Sequence, residues 1–329
     1  MLKKERHLKK HPEETPVYSD PSSSDSPNGW REALAHRIAA CLGTAERRVT
    51  EIPGVILAQR TAPTAPCSIA YAPGITIVAQ GAKRVELGRN IFTCDVSRFL
   101  LTSVDLPVMS RVAQASVKAP CLALTLKIEM SLVRQLLSRK EILATTKPSD
   151  RPAIATGEIT TEFLSACCRL LSLLDTPQDI PFLSEPIQQE ILYRVLRSAA
   201  GARLGAIATL GEASQRTAKA IAHIRENYAK PLRVEDLAEI AGMGVSTLHH
   251  QFRSLTAMSP LQYQKQLRLQ AARSQMLMEG ADVARTAFDV GYESVSQFSR
   301  EYSRFFGRPP MRDIRALRAP DARSVELVP

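Results

Sequence analysis

The feature that most constrains this chain is a steric pattern that occurs twice. Between Val234 and Phe252 a small residue, Ala238, stands four positions before Gly242, and Leu237, Ile240, Ala241, Leu248 and Phe252 recur at helical spacing around them. Two helices that cross at close range need a small side chain at the crossing, and the tight turn joining them favours a residue free to take positive φ. The arrangement returns further along, with Ala287 four positions before Gly291 and an inner set of Val283, Val290, Phe298, Tyr302 and Phe305. One such match could arise in any small helical hairpin. Two matches joined by an amphipathic helix, Leu261 to Glu279, restrict the segment to paired helix-turn-helix units at 234–255 and 283–306.

The same spacing assigns an outward set to each second helix: Ser246, Thr247, His249, His250 and Arg253 in the first unit, and Val295, Ser296, Gln297, Arg300 and Arg304 in the second. A helix-turn-helix lays its second helix in the major groove, where hydroxyl, amide and guanidinium groups can reach base edges or phosphates. The formal net charge of +10 is spread along the chain and decides little by itself. Near the end, however, Arg300, Arg304, Arg308, Arg312, Arg315 and Arg318 face only Glu301 and Asp313, a local basic stretch suited to phosphate. The last four arginines are expected to form a solvated or phosphate-facing rim.

A chain of 329 residues exceeds one ordinary core, since domains run roughly 100–200 residues. Residues 1–29, with a basic run and Pro- and Ser-rich pieces, read as a disordered tail, and Trp30 to Leu42 as a helix stopped by Gly43. From Pro53 to Lys127, short apolar or alternating runs separated by Gly, Pro and Asp predict a sandwich or barrel, with a hairpin turn at Gly88-Arg89-Asn90. Helices are expected at Ser131 to Arg139, Thr161 to Leu174, Ile187 to Arg197 and Arg203 to Leu210, with a loop over Ala144 to Gly157. The division is therefore an N-terminal domain of strands and following helices over 30–210, a helix-turn-helix domain over 211–316 and a tail over 317–329.

No apolar run approaches the roughly 20 residues of a membrane span, and the charged start is no signal peptide, so a cytoplasmic chain is expected. None of the six histidines lies between residues 53 and 129, which excludes a His-ligated metal in the barrel. No cofactor is expected, nor any catalytic motif. The six cysteines show no C-x-x-C pair. Buried thiols are the plain reading, and a ligand or redox sensor at Cys67, Cys94 and Cys121 is the sharper one.

Residues 217–316 resemble the DNA-binding domain of the AraC/XylS family. The resemblance rests on Leu237-Ala238, Phe252-Arg253, Ser259-Pro260-Leu261-Gln262-Tyr263, the Ala287 to Ser294 turn, Gln297-Phe298-Ser299-Arg300 and Phe305-Phe306-Gly307-Arg308-Pro309-Pro310. Gly244 departs from the family's capping Ser or Thr and implies a slightly weaker start to the first reading helix. Residues 51–200 are similar to an N-terminal effector domain of the same family at Ile52-Pro53-Gly54, Ala79 to Lys83 and Ser103 to Val108. The resemblance implies an α+β chain: an N-terminal cupin-like β-barrel with accessory helices, then an all-α domain with two helix-turn-helix motifs. It implies a transcriptional regulator and not an enzyme, with promoter or operator double-stranded DNA, a small-molecule effector and RNA polymerase as partners, and leaves a homodimer open. A cupin-type enzyme and a non-DNA interaction scaffold are the competing readings.

Overall fold

The computed structural model describes residues 26–139, 152–209, 211–278 and 280–318. Residues 1–25 of the expected tail, and the stretch of the expected loop up to residue 151, lie outside the described residues. The chain opens with α1 (Pro27–Leu42), which begins earlier than the sequence suggests because Ser26 accepts a hydrogen bond from Gly29 N and Pro27 fits the first turn. There follow β1 (Arg47–Val49), β2 (Val55–Arg60), β3 (Cys67–Tyr71), β4 (Gly74–Gln80), β5 (Ala82–Leu87), β6 (Asn90–Asp95), β7 (Arg98–Thr102), β8 (Leu106–Gln114) and β9 (Cys121–Lys127). After α2 (Met130–Ser138), a strand absent from the sequence reading, β10 (Ile154–Glu158), pairs antiparallel with β7. The Thr-Gly-Glu composition reads as loop, but the free edge groups of β7 demand hydrogen-bond partners and β10 supplies them. Gly157 is required there, since an added Cβ would lie 2.2 Å from the Phe99 ring.

The ten strands form one sheet in the order β1-β2-β9-β4-β7-β6-β5-β8-β3, with β10 branching from β7 and every pairing antiparallel. The predicted hairpin is present, with Leu87 opposite Asn90 across Gly88-Arg89. Strands β4 and β9 are apolar on both faces because they separate two cores. Ile75, Ile77, Leu122, Leu124 and Leu126 face a helical layer, whereas Val78, Cys121 and Ala123 face the interior of the curved sheet. The helical layer comprises α1, α2, α3 (Thr161–Ser172), α4 (Ile180–Arg197) and α5 (Gly201–Ala208). Helix α4 starts before the predicted Ile187 and passes through Pro186, because buried Ile180 and Ser184 hold its first turns against the core despite the missing donor.

The remaining chain is helical: α6 (Ala213–Glu226), α7 (Val234–Ala241), α8 (Val245–Thr256), α9 (Pro260–Met278), α10 (Val283–Asp289), α11 (Val295–Phe306) and α12 (Pro310–Arg318). Helix α12 ends at Arg318, just inside the tail expected over 317–329, whose remaining residues lie outside the described ones. Leu237, Leu248, Phe252 and Tyr263 share one apolar cluster with the sheet interior residues Val85, Leu106 and Val108, so the first helical unit is seated on the sheet. Polar bonds pin the same contact. Tyr263 OH donates to the Asp105 carbonyl at 2.8 Å, Arg225 pairs with the Asp105 carboxylate at 2.7 Å, and Ala153 N donates to Leu255 O at 2.9 Å.

Candidate nucleic-acid interface

Each helical pair is built by the grammar of its sequence. In the first, Glu235 and Asp236 occupy the positive first turn of α7, Ala238 and Leu237 are buried, and Gly242 closes the helix in the left-handed conformation with φ 60°. Gly244 caps α8 without any side-chain bond. In the second, Asp282 accepts from Ala284 N and Arg285 N at the start of α10, and Ser294 accepts from Gln297 N at the start of α11. Gly291 has φ +90°, and an added Cβ would sit 2.0 Å from the Ala229 carbonyl oxygen. This glycine is required by space as well as by conformation.

On α8 the structure brings Ser246, Thr247, His249, His250 and Arg253 to one exposed surface. On α11 it exposes Ser296, Gln297, Arg300 and Arg304 in the corresponding positions. Two assignments need correction. Val295, expected outward, is half-buried against the core of the second unit, because the first turn of α11 folds back onto α10. Ile240, expected inward, is 41% exposed, since Leu237, Ala238 and Ala241 already fill the crossing. Gln297 is also shared, its amide donating to Glu301, whose other oxygen accepts from Tyr292 OH at 3.0 Å. Burial and that bond to Glu301 push the Tyr292 hydroxyl above its ordinary range.

The two units are fixed to each other by side chains that spacing alone does not reveal. Arg268 on α9 donates to Tyr228 O, Ala229 O and Lys230 O beyond α6 and to Gly291 O in the second turn. Its burial depresses the guanidinium pKa, the cost of holding four carbonyls in one fork. Asp313 on α12, buried, accepts from Arg273 at 2.8 Å and from Tyr302 OH at 2.8 Å, which locks α11 onto α9. Arg318, expected in the outer rim, is exposed, and its guanidinium also donates to Met276 O and Leu277 O at the end of α9. Arg308, Arg312 and Arg315 remain exposed or half-exposed.

The three sensor candidates lie in the sheet. Cys94 is fully buried, its thiol 3.4 Å from Thr76 O, and burial raises its pKa to about 12. Burial also raises the Cys121 thiol, while Cys67 donates to Ser110 O. A thiolate is the reactive form, so Cys94 and Cys121 have the environment of structural rather than redox cysteines. Cys67 and Cys121 do line a cavity inside the curved sheet. Among the described residues, no three His, Cys, Asp or Glu side chains gather as a metal set, and no helix is long and apolar enough to cross a membrane.

Comparison with known proteins follows this division. A family profile described as the AraC-type transcriptional regulator N-terminus matches residues 51–203, and one described as a helix-turn-helix domain matches residues 237–316. The chain belongs to the AraC family. Within the AraC family it is 33% identical over 100 residues to a putative AraC-like transcription regulator of Streptomyces lividans, covering 30% of this chain and 33% of the relative. It is 31% identical over 93 residues to the transcriptional activator RhaS of Yersinia pestis, covering 28% of this chain and 34% of the relative. These matches therefore span about a third of the length of the relatives. The fold is that of ToxT of Vibrio cholerae, with TM-score 0.55 at 12% identity over 79% of this chain and 97% of that one. The sheet followed by paired helix-turn-helix units is thus the AraC-family α+β arrangement.

Proposed function

We propose that this chain is a sequence-specific DNA-binding transcriptional regulator that acts on promoter DNA and RNA polymerase in the cytoplasm and catalyses no reaction. The sensing domain is residues 30–210 and the DNA-binding domain residues 211–316. The observation that carries the reading is the matched pair of exposed faces on α8 and α11, held at fixed separation by α9 and by the Arg268 and Asp313 contacts. Helix α9 has 19 residues, a span of roughly 28 Å at 1.5 Å per residue, against the roughly 34 Å between successive major-groove segments. One chain therefore puts its two reading helices into adjacent major grooves of an asymmetric site, with the duplex bent to close the difference.

In this reading Ser246, Thr247, His249, His250 and Arg253 meet one half of the site, and Ser296, Gln297, Arg300 and Arg304 the other. Val295 sets the angle of α11 from its half-buried position. The sheet-facing contacts of Tyr263 and Arg225 with Asp105 give a small molecule in the sensing domain a route to the first unit. A ToxT structure with an unsaturated fatty acid bound supports an effector of that general kind.

The test is selection of sites from random DNA followed by footprinting with salt titration. Substituting His249 or His250 should change one half of the site and substituting Gln297 or Arg300 the other, with about 1–3 kcal/mol lost per base contact. Replacing Arg312 or Arg315 should weaken all sequences alike and lower the salt slope. A single protected half-site per chain refutes the two-groove arrangement, and binding without sequence preference refutes the regulator itself.

A further inference from the structure

Helix α11 carries one carboxylate, Glu301, half-buried on a helix that exposes Gln297, Arg300 and Arg304. A negative charge this close to a duplex repels the phosphates that its arginine neighbours attract, so its place on a reading helix calls for a use. Both of its oxygens are engaged. One accepts from Tyr292 OH at 3.0 Å and the other from the Gln297 side-chain amide at 3.4 Å. An ionised carboxylate only accepts, so the end of the amide turned to Glu301 is the NH2 group and the carbonyl oxygen of Gln297 points elsewhere.

Tyr292 is itself held on two sides. It is 6% exposed, its ring meets the ring of Phe298 edge-on with centroids 5.3 Å apart, and the Arg268 guanidinium lies 5.9 Å from its centroid. Arg268 also donates to the carbonyl of Gly291, the residue before Tyr292, at 2.9 Å. A continuous path therefore runs from Arg268 on the linking helix α9 through Tyr292 and Glu301 to a side chain on the reading face. The first unit has no counterpart. Met243 follows Gly242 where Tyr292 follows Gly291, and a thioether has no hydrogen to donate.

We propose that Glu301, braced by Tyr292, is a positioning residue that holds the Gln297 amide in one orientation and thereby gives the half of the site read by α11 a preference for adenine. An unrestrained glutamine amide offers two N–H donors and a carbonyl acceptor, and can turn either end to a base. With one N–H held by Glu301, one N–H and the carbonyl oxygen remain side by side. Adenine presents the complementary pair in the major groove, the N7 acceptor beside the N6 amino donor. Guanine presents two acceptors, N7 and O6, and its O6 would face the Gln297 oxygen with no proton between them. The nearby carboxylate adds to the bias, since its charge disfavours O6 and favours an amino group. The inference deepens the regulator reading and rests on it. Direct acceptance from a cytosine amino group by Glu301 is the competing use of the same carboxylate, and a double variant separates the two.

The test is selection of sites from random DNA by the full-length protein and by Gln297→Ala, which identifies the position that depends on Gln297; adenine should be preferred there. Mobility shifts then give the ratio of affinities for duplexes carrying adenine or guanine at that position. A ratio taken within one preparation does not depend on how much of it is folded. Glu301→Ala should lower the ratio about tenfold, the scale of one bidentate base contact, and Tyr292→Phe should lower it by a smaller factor. Preferences in the half read by α8 should stay unchanged in both, which a general loss of structure would not allow. In the Gln297→Ala background, Glu301→Ala should alter the ratio no further, as for a residue that acts through another. A preference for any base other than adenine, the lack of any position that depends on Gln297, or an unchanged ratio in Glu301→Ala overturns the assignment. An equal effect of Glu301→Ala without Gln297 also overturns it, in favour of direct reading by Glu301. Selection that yields no preferred sequence at all removes the regulator reading, whereas a defined sequence with an unaffected α11 half removes only the role of Glu301.

Discussion

The two turn glycines allow the close packing of the second helix-turn-helix unit to be measured against an internal control. At Gly242 an alanine meets open space, so Gly242→Ala adds only the strain of a left-handed residue bearing a Cβ, about 1 kcal/mol. At Gly291 the same strain is joined by a collision, because the new Cβ would lie 2.0 Å from Ala229 O and 2.7 Å from Ala229 C. Both are backbone atoms, so relief requires the second turn to move by about 1 Å to reach ordinary contact. That movement pulls Gly291 O away from Arg268, now 2.9 Å distant, and strains the companion bond to Ala229 O. Overpacking contributes about 1–3 kcal/mol and a lost bond to a charged donor about 1.5–3 kcal/mol. Gly291→Ala should therefore cost on the order of 4 kcal/mol or more. For a helical domain of roughly a hundred residues, thermal denaturation should fall by about 4 °C for Gly242→Ala and about 16 °C or more for Gly291→Ala. Footprints of Gly291→Ala should lose the half of the site read by α11 first. Equal losses at the two glycines would refute the argument, since conformation alone would then account for both.

Other outcomes follow from the same geometry. Asp313→Ala should cost about 3 kcal/mol in denaturant unfolding, because it removes the buried carboxylate that accepts from both Arg273 and Tyr302, and Asp313→Asn should cost less by keeping an acceptor for Tyr302; an Ala variant within about 1 kcal/mol of wild type would contradict this. Ser294→Ala should lose about 1 kcal/mol with the cap of α11, while Gly244→Ser should gain a few tenths at α8, and circular dichroism melts would detect the opposite signs. Alkylation of the native protein at pH 8 should reach half-buried Cys41 before Cys94, whose protonated thiol is favoured by burial. That raised pKa contributes stability that is full below the unfolded thiol's value of 9.0 and is lost as pH rises towards about 12, so a Cys94→Ala variant should show a flatter alkaline unfolding profile.

The sequence by itself determined what depends on neighbours a few residues apart. Ala238 with Gly242 and Ala287 with Gly291 announced both helical pairs, and the buried and exposed members of α8 and α11, Val295 apart, follow from a period of 3.6. The glycine in Gly88-Arg89-Asn90 likewise announced the hairpin that sets Leu87 opposite Asn90. Tertiary structure alone decided the rest. β10 exists because β7 has an edge to fill, α4 crosses Pro186 because a core holds Ile180 beneath it, and the exposed Arg318 lies along α9 because the carbonyls of Met276 and Leu277 need donors. The seat of the first unit on the sheet joins Asp105 to Arg225 and Tyr263. Residues so far apart in sequence leave no shared periodicity, because the free energy that pairs them arises only when the chain has already brought their surfaces together and excluded water between them.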